Sequence, residues 1–473
     1  MSAGRSRWVA AFGAAVVAAG CAVGPNYKRP PVVLPGQFYG EQAAAEARSL
    51  ADVPWWDLFQ DPVLKSLVDE ALENGFDARR AAARVEEARA LYGIARSEFL
   101  PTAGYQGAWE RTRPDQFQNP SGETQTKWTA NVGFGWELDV WGRIRRLNEA
   151  AKAQYLATEE ARRGVFLSLV SDVATAYFEL RELDAELEIA NRTTTAFQDT
   201  YDLFSRRLEG GAASALETAR AEASLGQVAA QIPEIERAIV ARESQINLLL
   251  GRNPQPVPRE GPSTPLPPEI PAGLPSQLLE RRPDVRQAEQ LVVSANAEVG
   301  VATAAFFPTL SLTGLFGNVS PELGDIVSKG KTWNVGAGLL GPLFQGGALK
   351  RNREAAKARW EQARVEYEAT VTRSLAETST ALVARTKLVE TERQRARTVQ
   401  AYREAVRLAS LRYRSGLSAY FEVLEAQQQL FPAEIGLAQT RRDQLVAVVS
   451  LYKAVGGGWQ AEALAPAPAS TAR

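Results

Sequence analysis

Apolar and polar residues alternate with a period of two over two stretches of the chain. Trp128, Ala130, Val132, Phe134, Trp136 and Leu138 alternate with Lys127, Thr129, Asn131, Gly133, Gly135 and Glu137. Trp333, Val335, Ala337 and Leu339 alternate with Thr332, Asn334, Gly336 and Gly338. That period predicts strands. Each is preceded by a briefer alternating run, starting near Thr102 and near Thr309, the latter with Leu310 and Leu312 against Ser311 and Thr313. The polar segments 114–126 and 318–331 between the paired runs read as surface loops.

Elsewhere the pattern is helical. Helices of roughly 30 residues are predicted to end at Pro101 and Pro308. The proline-free stretch 143–208 predicts one helix about 100 Å long at 1.5 Å per residue. It carries Leu169, Val173, Ala176, Leu180, Leu183 and Leu187 at coiled-coil spacing. A second long helix from about Leu349 has a weaker seam of Leu375, Leu382, Val389 and Ala396. Glycine turns follow both, at Gly210-Gly211-Ala212 and Ser415-Gly416-Leu417, and a return helix follows each turn. Pro233 and Pro432 predict local bends in the return helices.

The chain is written twice. Leu72, Asp77, Arg79, Ala81, Ala90, Pro101 and Thr102 recur 207 residues later as Leu279, Asp284, Arg286, Ala288, Ala297, Pro308 and Thr309. Further on the offset is 205. Glu149-Ala150-Ala151-Lys152-Ala153 matches Glu354-Ala355-Ala356-Lys357-Ala358, and Trp128, Gly142, Gly211, Glu217 and Gly251 match Trp333, Gly347, Gly416, Glu422 and Gly456. The repeats span 52–251 and 276–456, joined by a Pro-rich linker at 252–275 and followed by a tail at 457–473.

A soluble sandwich also alternates. Aromatic and aliphatic residues set against glycine and polar ones is the lipid-against-lumen pattern of a membrane barrel. On that reading Trp128, Val132, Trp136, Trp333 and Val335 face lipid, and Lys127, Asn131 and Asn334 face the lumen. No stretch of the mature chain has the run of about 20 apolar residues that a membrane helix needs. Crossing therefore requires a closed barrel. Four strands cannot close one, since bacterial barrels begin at about eight. The chain must oligomerise, and three copies would supply twelve strands.

Composition narrows the chemistry. Net charge is −1, so nothing points to nucleic acid or acidic lipid. Histidine is absent, which removes the usual general base and most metal sites. The one cysteine, Cys21, allows no intrachain disulfide. It follows a basic n-region with Arg5 and Arg7 and the short apolar run 8–19, too short to span a bilayer. Segment 1–20 reads as a signal peptide. Ala18-Ala19-Gly20-Cys21 resembles a bacterial lipobox, which makes Cys21 the lipid-attachment residue of the segment 21–51. No aspartate follows the cysteine, which favours the outer membrane.

At this point the residues resemble a known family. Cys21-Ala22-Val23-Gly24-Pro25-Asn26-Tyr27, Trp136-Glu137-Leu138-Asp139 with Gly142-Arg143, and Leu278-Leu279-Glu280-Arg281-Arg282-Pro283-Asp284 come first. Ala305-Phe306-Phe307-Pro308, Arg412-Tyr413-Arg414-Ser415-Gly416 and Leu451-Tyr452-Lys453-Ala454-Val455-Gly456-Gly457-Gly458-Trp459 complete the set. Together they resemble outer-membrane factors of the TolC-like superfamily, in the OprM-like lipoprotein branch. The resemblance implies a mainly α fold with a membrane β-barrel portion: a homotrimer with a twelve-stranded β-barrel above a long-helix α-barrel, and an equatorial belt at the linker. It implies an exit duct in the outer membrane, reaching into the periplasm, without enzymatic activity or cofactor. An inner-membrane RND transporter and a periplasmic adaptor would dock beneath it. The tips Gly210, Gly211, Ser415, Gly416 and Leu417 would contact the adaptor. Glu422 and Glu425, on one face of the second return helix, would line the gate, with Arg412, Tyr413 and Arg414 as partners. Three readings follow: a drug and solvent duct, the same duct serving metal ions or secreted proteins, and a non-pore coiled-coil lipoprotein.

Overall fold

The computed structural model describes residues 22–40, 50–53, 58–113, 123–259, 265–267 and 272–457. Cys21 and segment 1–20, read above as a signal peptide, lie outside the described residues, as does 458–473.

Both repeats follow one order of elements, except that the return helix of the first is split in two. The first holds α1 (Pro62–Asn74), α2 (Phe76–Ser97), β1 (Thr102–Thr112), β2 (Gln125–Leu138), α3 (Arg143–Glu209), α4 (Ala215–Ala229) and α5 (Gln231–Leu250). The second holds α6 (Leu278–Arg281), α7 (Pro283–Ala304), β3 (Thr309–Ser320), β4 (Lys331–Leu340), α8 (Ala348–Arg414) and α9 (Phe421–Ala454). The long helices α3 and α8 have 67 residues each. None of the described helices is long and apolar enough to cross a membrane.

The strands form one antiparallel sheet in the order β1-β2-β3-β4. β3 runs further than expected, through Asn318, Val319 and Ser320, which pair with Ala130, Thr129 and Trp128. The loop after it is correspondingly shorter than the polar composition suggested.

The expected single helix before each first strand is instead broken, at the same place in both repeats. Gly75 (φ −57, ψ 137) separates α1 from α2, and Arg282 (φ −75, ψ 121) separates α6 from α7. Pro283 disfavours the helical conformation at Arg282. Arg282 then stays buried by donating to the Ala454 carbonyl, at the end of α9, and to Asp284 and Glu377. At the matching place in the first repeat, a Cβ on Gly75 would sit 2.8 Å from the Leu249 carbonyl, leaving room only for glycine.

Pro233 is the third residue of α5, and the return helix of the first repeat is interrupted at Ala230, between α4 and α5, as expected of a proline that cannot bond the carbonyl four residues back. Pro432 does lie inside α9.

Two compact units emerge. One contains β1–β4 with α7 and the proximal parts of α3 and α8, from the described residues of Met1–Pro31, Arg84–Glu159 and Gln287–Glu368. There Gly24 packs so closely on Gly300 that an added Cβ would meet its Cα at 2.5 Å, and Arg146 bonds the Val23 carbonyl and Asn26. The other contains the described residues of Val32–Ala83, Glu160–Arg286 and Ala369–Arg473. Its core takes Leu169, Val173, Ala176 and Leu180 from the predicted seam of α3. In α8 the buried line is Val371, Ser374, Thr378, Ala381 and Arg385, and Leu375 and Leu382 are only half-buried beside it. Small and polar side chains hide that line from a hydrophobicity pattern. The linker is tied down in this unit: Arg252 bonds Glu70, and Arg259 bonds Asp184 and Glu243.

Candidate functional site

The sheet has one strongly apolar face. Residues paired across antiparallel strands share a face, so the register gathers Tyr105 with Val132 and Trp109 with Trp128. It also gathers Val132 with Phe316, Trp136 with Leu312, and Phe316 with Trp333. These side chains are not covered: Tyr105 is 91% exposed, Val335 77% and Trp333 74%. The opposite face carries Gln106, Lys127, Asn131, Thr313, Asn334 and the glycines 133, 135, 336 and 338, with Leu315, Val319 and Leu340 as exceptions. An apolar face of this extent marks contact with lipid or protein. Among the described residues the outer edges of β1 and β4 have no strand partner. Such edges do not persist in lipid. Sequence reading placed Trp128, Val132, Trp136, Trp333 and Val335 on one face, and the register agrees. It missed Tyr105, Trp109 and Phe316. The four-residue spacing of Tyr105 and Trp109 was the signal available.

The helix turns form a second set of exposed features. Gly211 (φ 71) and Gly416 (φ 69) are both left-handed. Ala212 N–H reaches back to the Arg207 carbonyl and Gly211 N–H to Leu208. Leu417 N–H reaches Arg412 and Gly416 N–H reaches Tyr413 in the same pattern. Both are Schellman endings, which satisfy otherwise orphaned carbonyls of a helix. Gly210, Gly211, Ser415, Gly416 and Leu417 are all exposed. A Cβ at Gly211 or Gly416 would meet nothing within 4 Å.

Beyond the turns the repeats part company. In the first, Ser214 caps α4 and Glu217 closes a capping box. Bonds from the Ser214 backbone and hydroxyl hold the Glu217 carboxyl below its usual range. In the second, Ala419 stands where Ser214 would be, and α9 has no side-chain cap. Glu422, the counterpart of Glu217, is released and pairs with Arg412 at 3.3 Å. Arg207, the counterpart of Arg412, in turn bonds the Tyr413 hydroxyl and lies 5.6 Å over its ring. Tyr413 packs edge-on against Tyr420 at 5.0 Å, and Tyr420 bonds Thr200 at 2.6 Å and packs on Phe204 at 4.8 Å. Of the candidate gate residues, Arg412 and Glu422 therefore meet directly. Tyr413 is engaged by Arg207 instead, while Arg414 and Glu425 are exposed. Arg207, Thr200, Phe204 and Tyr420 were not foreseen. The repeat signals Arg207, which aligns with Arg412, whereas Thr200, Phe204 and Tyr420 align with Ala405, Ala409 and Ala215 and carry no such signal.

No group of His, Cys, Asp and Glu among the described residues is placed to hold a metal ion.

Comparison with known proteins decides the family. The outer membrane efflux protein family matches residues 67–252 and again residues 274–457, one match per repeat. The chain belongs to the outer membrane efflux protein family. SrpC of Pseudomonas putida, a solvent efflux pump outer membrane protein, is 36% identical over 450 residues, 93% of this chain and 96% of its own. The outer membrane protein OprJ of Pseudomonas aeruginosa is 33% identical over 461 residues, 95% of this chain and 96% of its own. The Neisseria gonorrhoeae MtrE outer membrane channel, solved in its open state, superimposes with a TM-score of 0.82 at 31% identity, covering 93% of this chain and 99% of that one. As a member of this family the chain is a TolC-like channel of the outer membrane, the outer component of an efflux pump. That sets aside the non-pore coiled-coil lipoprotein.

Proposed function

We propose that three copies of this chain form one passive exit duct for drugs, solvents and similar small toxic compounds. The carrying observation is the exposed apolar face on a sheet whose two edges are unpaired. Three copies give twelve strands, which closes the edges and turns the apolar face to lipid. The polar, glycine-rich face then lines the pore. A periplasmic adaptor contacts the two Schellman tips, and an inner-membrane RND transporter supplies the energy. The duct itself performs no chemistry and uses no cofactor. Cys21 carries a lipid after removal of residues 1–20, leaving segment 21–51 as the anchored arm. The similarity to SrpC, a solvent efflux pump outer membrane protein, favours organic toxicants as cargo.

Purified protein reconstituted in planar bilayers tests the duct. Discrete conductance steps from a trimeric species are expected, and a purely monomeric, non-conducting protein overturns the reading. Restored solvent and drug tolerance in a strain lacking its own duct tests the cargo. Mass spectrometry of the mature N-terminus tests the lipid, with an unmodified Cys21 as the refuting result.

A further inference from the structure

The two hairpins of the sheet follow one arithmetic. Residue numbers paired between β1 and β2 sum to 237, as in Thr102 with Gly135, and those between β3 and β4 sum to 649, as in Thr309 with Leu340. The difference, 412, is the sum of the two repeat offsets, 207 and 205. The hairpin register thus passes from one repeat to the other without a slip of even one residue.

The remaining junction, β2 with β3, joins the end of one repeat's hairpin to the start of the next. Its pairs sum to 448, as in Leu138 with Leu310. Between copies the same junction would join β4 to β1. Moving β2 forward by 205 gives β4, and moving β3 back by 207 gives β1, so the transferred sum is 446. We propose that β4 of one copy pairs with β1 of the next in that single register. The proposal rests on the reading that copies of this chain close a barrel.

The register pairs Asn334 with Thr112, Gly336 with Glu110, Ala337 with Trp109 and Gly338 with Ala108, and it ends on Leu340 with Gln106. Both strands keep their faces: Trp109 and Ala337 fall on the apolar side, Ala108 and Gly338 on the polar side. A slip by one residue would send Trp109 to the polar side. Beyond the end of β4 the register carries the chain toward the start of the neighbour's β1. Leu343 and Phe344 follow that end, fully or almost fully exposed, and Phe99 and Leu100 precede β1, also exposed. Within one copy the matching place is filled, with Trp141 stacked on Phe307 at 4.8 Å and bonded to the Pro308 carbonyl. The second junction leaves its apolar residues for a neighbour to cover.

Face-preserving slips by two residues are the competitors, and disulfide trapping separates them. Ala108→Cys with Gly338→Cys places the two side chains directly opposite one another across copies. Gln106→Cys or Glu110→Cys with Gly338→Cys displaces them by about 7 Å along the strand, beyond easy bridging. The full-length variants are oxidised in outer membranes with copper phenanthroline and run on denaturing gels without reductant. Single-cysteine variants show any bond made through Cys21. Most of the Ala108→Cys, Gly338→Cys chain is expected as covalent trimer, with the two displaced pairs remaining monomeric. A stronger trimer band from a displaced pair overturns the register and leaves the barrel standing. So does the absence of any link in variants that native mass spectrometry shows to be trimeric. Monomers throughout would overturn the barrel reading, and the register with it.

Discussion

The Glu422 carboxylate stands 3.3 Å from Arg412 Nε, whereas Glu217, its counterpart one repeat earlier, is folded back onto Ser214. The difference traces to one residue, Ala419 in place of a capping serine. Arg412 thereby offsets one of two closely spaced carboxylates, and Glu425 is exposed to the solvent. Around a threefold axis these charges would favour cations. The double variant Glu422→Gln, Glu425→Gln is expected to lose cation selectivity, and Arg412→Ala to increase it. Reversal potentials across a salt gradient in planar bilayers measure both. Exposed pairs contribute only about 0–1 kcal/mol, so thermal stability should hardly move. Unchanged selectivity in the double variant removes the gate assignment.

The tips separate docking from folding. Gly211 and Gly416 need positive φ, but open space surrounds the position of a Cβ at each. Asparagine tolerates that conformation, whereas valine adds a strain of roughly 1–2 kcal/mol. Gly211→Asn and Gly416→Asn should therefore assemble normally. If these tips meet the adaptor, drug tolerance falls while the amount of trimer in the outer membrane stays constant. Full tolerance in the double variant places the docking surface elsewhere.

Much of this architecture was legible in the chain. Strand faces followed from the alternation at 127–138 and 332–339, and the repeat offsets located both glycine turns. What stayed hidden had physical causes. The break at Gly75 and Arg282 lies inside a helical pattern, because a single extended residue leaves little trace in periodicity. The buried line of α8 uses Ser374 and Thr378, whose hydroxyls bond their own helix and so tolerate burial. Tyr413, expected as a partner for the glutamates, is taken instead by Arg207 from the end of α3. Such long-range pairings depend on tertiary packing, which local spacing does not encode.

The sheet faces make opposite demands on charge. Val132 lies between Tyr105 and Phe316 on the apolar face, with Ala130 and Phe134 next to it along its own strand. Val132→Arg is expected to cost roughly 2–4 kcal/mol if the residue sits near the bilayer midplane. Asn334→Arg, on the polar face, is expected to be mild. Asn334 is a cleaner control than Asn131, whose Oδ1 crowds Gly317: a Cβ built there would lie 2.3 Å away. Urea-dependent folding into lipid vesicles measures the difference. Equal tolerance at 132 and 334 contradicts the assignment of faces.

Glu182 provides a test away from the membrane. Its side chain on α3 is only 6% exposed, and Arg442 approaches no closer than 3.5 Å, its Nε being held by Asp443 at 2.8 Å. Glu186, one turn further, accepts from Gln439 at 2.9 Å. Burial first and Glu186 second raise the Glu182 carboxyl from 4.5 to about 8. The folded state therefore binds this proton more tightly than the unfolded chain does. The stabilisation is complete below the ordinary carboxylate value and is lost as pH climbs through the raised one. Glu182→Gln keeps a neutral, hydrogen-bonding side chain at every pH. It should melt near the parent protein at pH 5 and on the order of a few degrees above it at pH 8. A variant less stable than the parent at pH 8 would mean that Glu182 is ionised there, with Arg442 outweighing its burial.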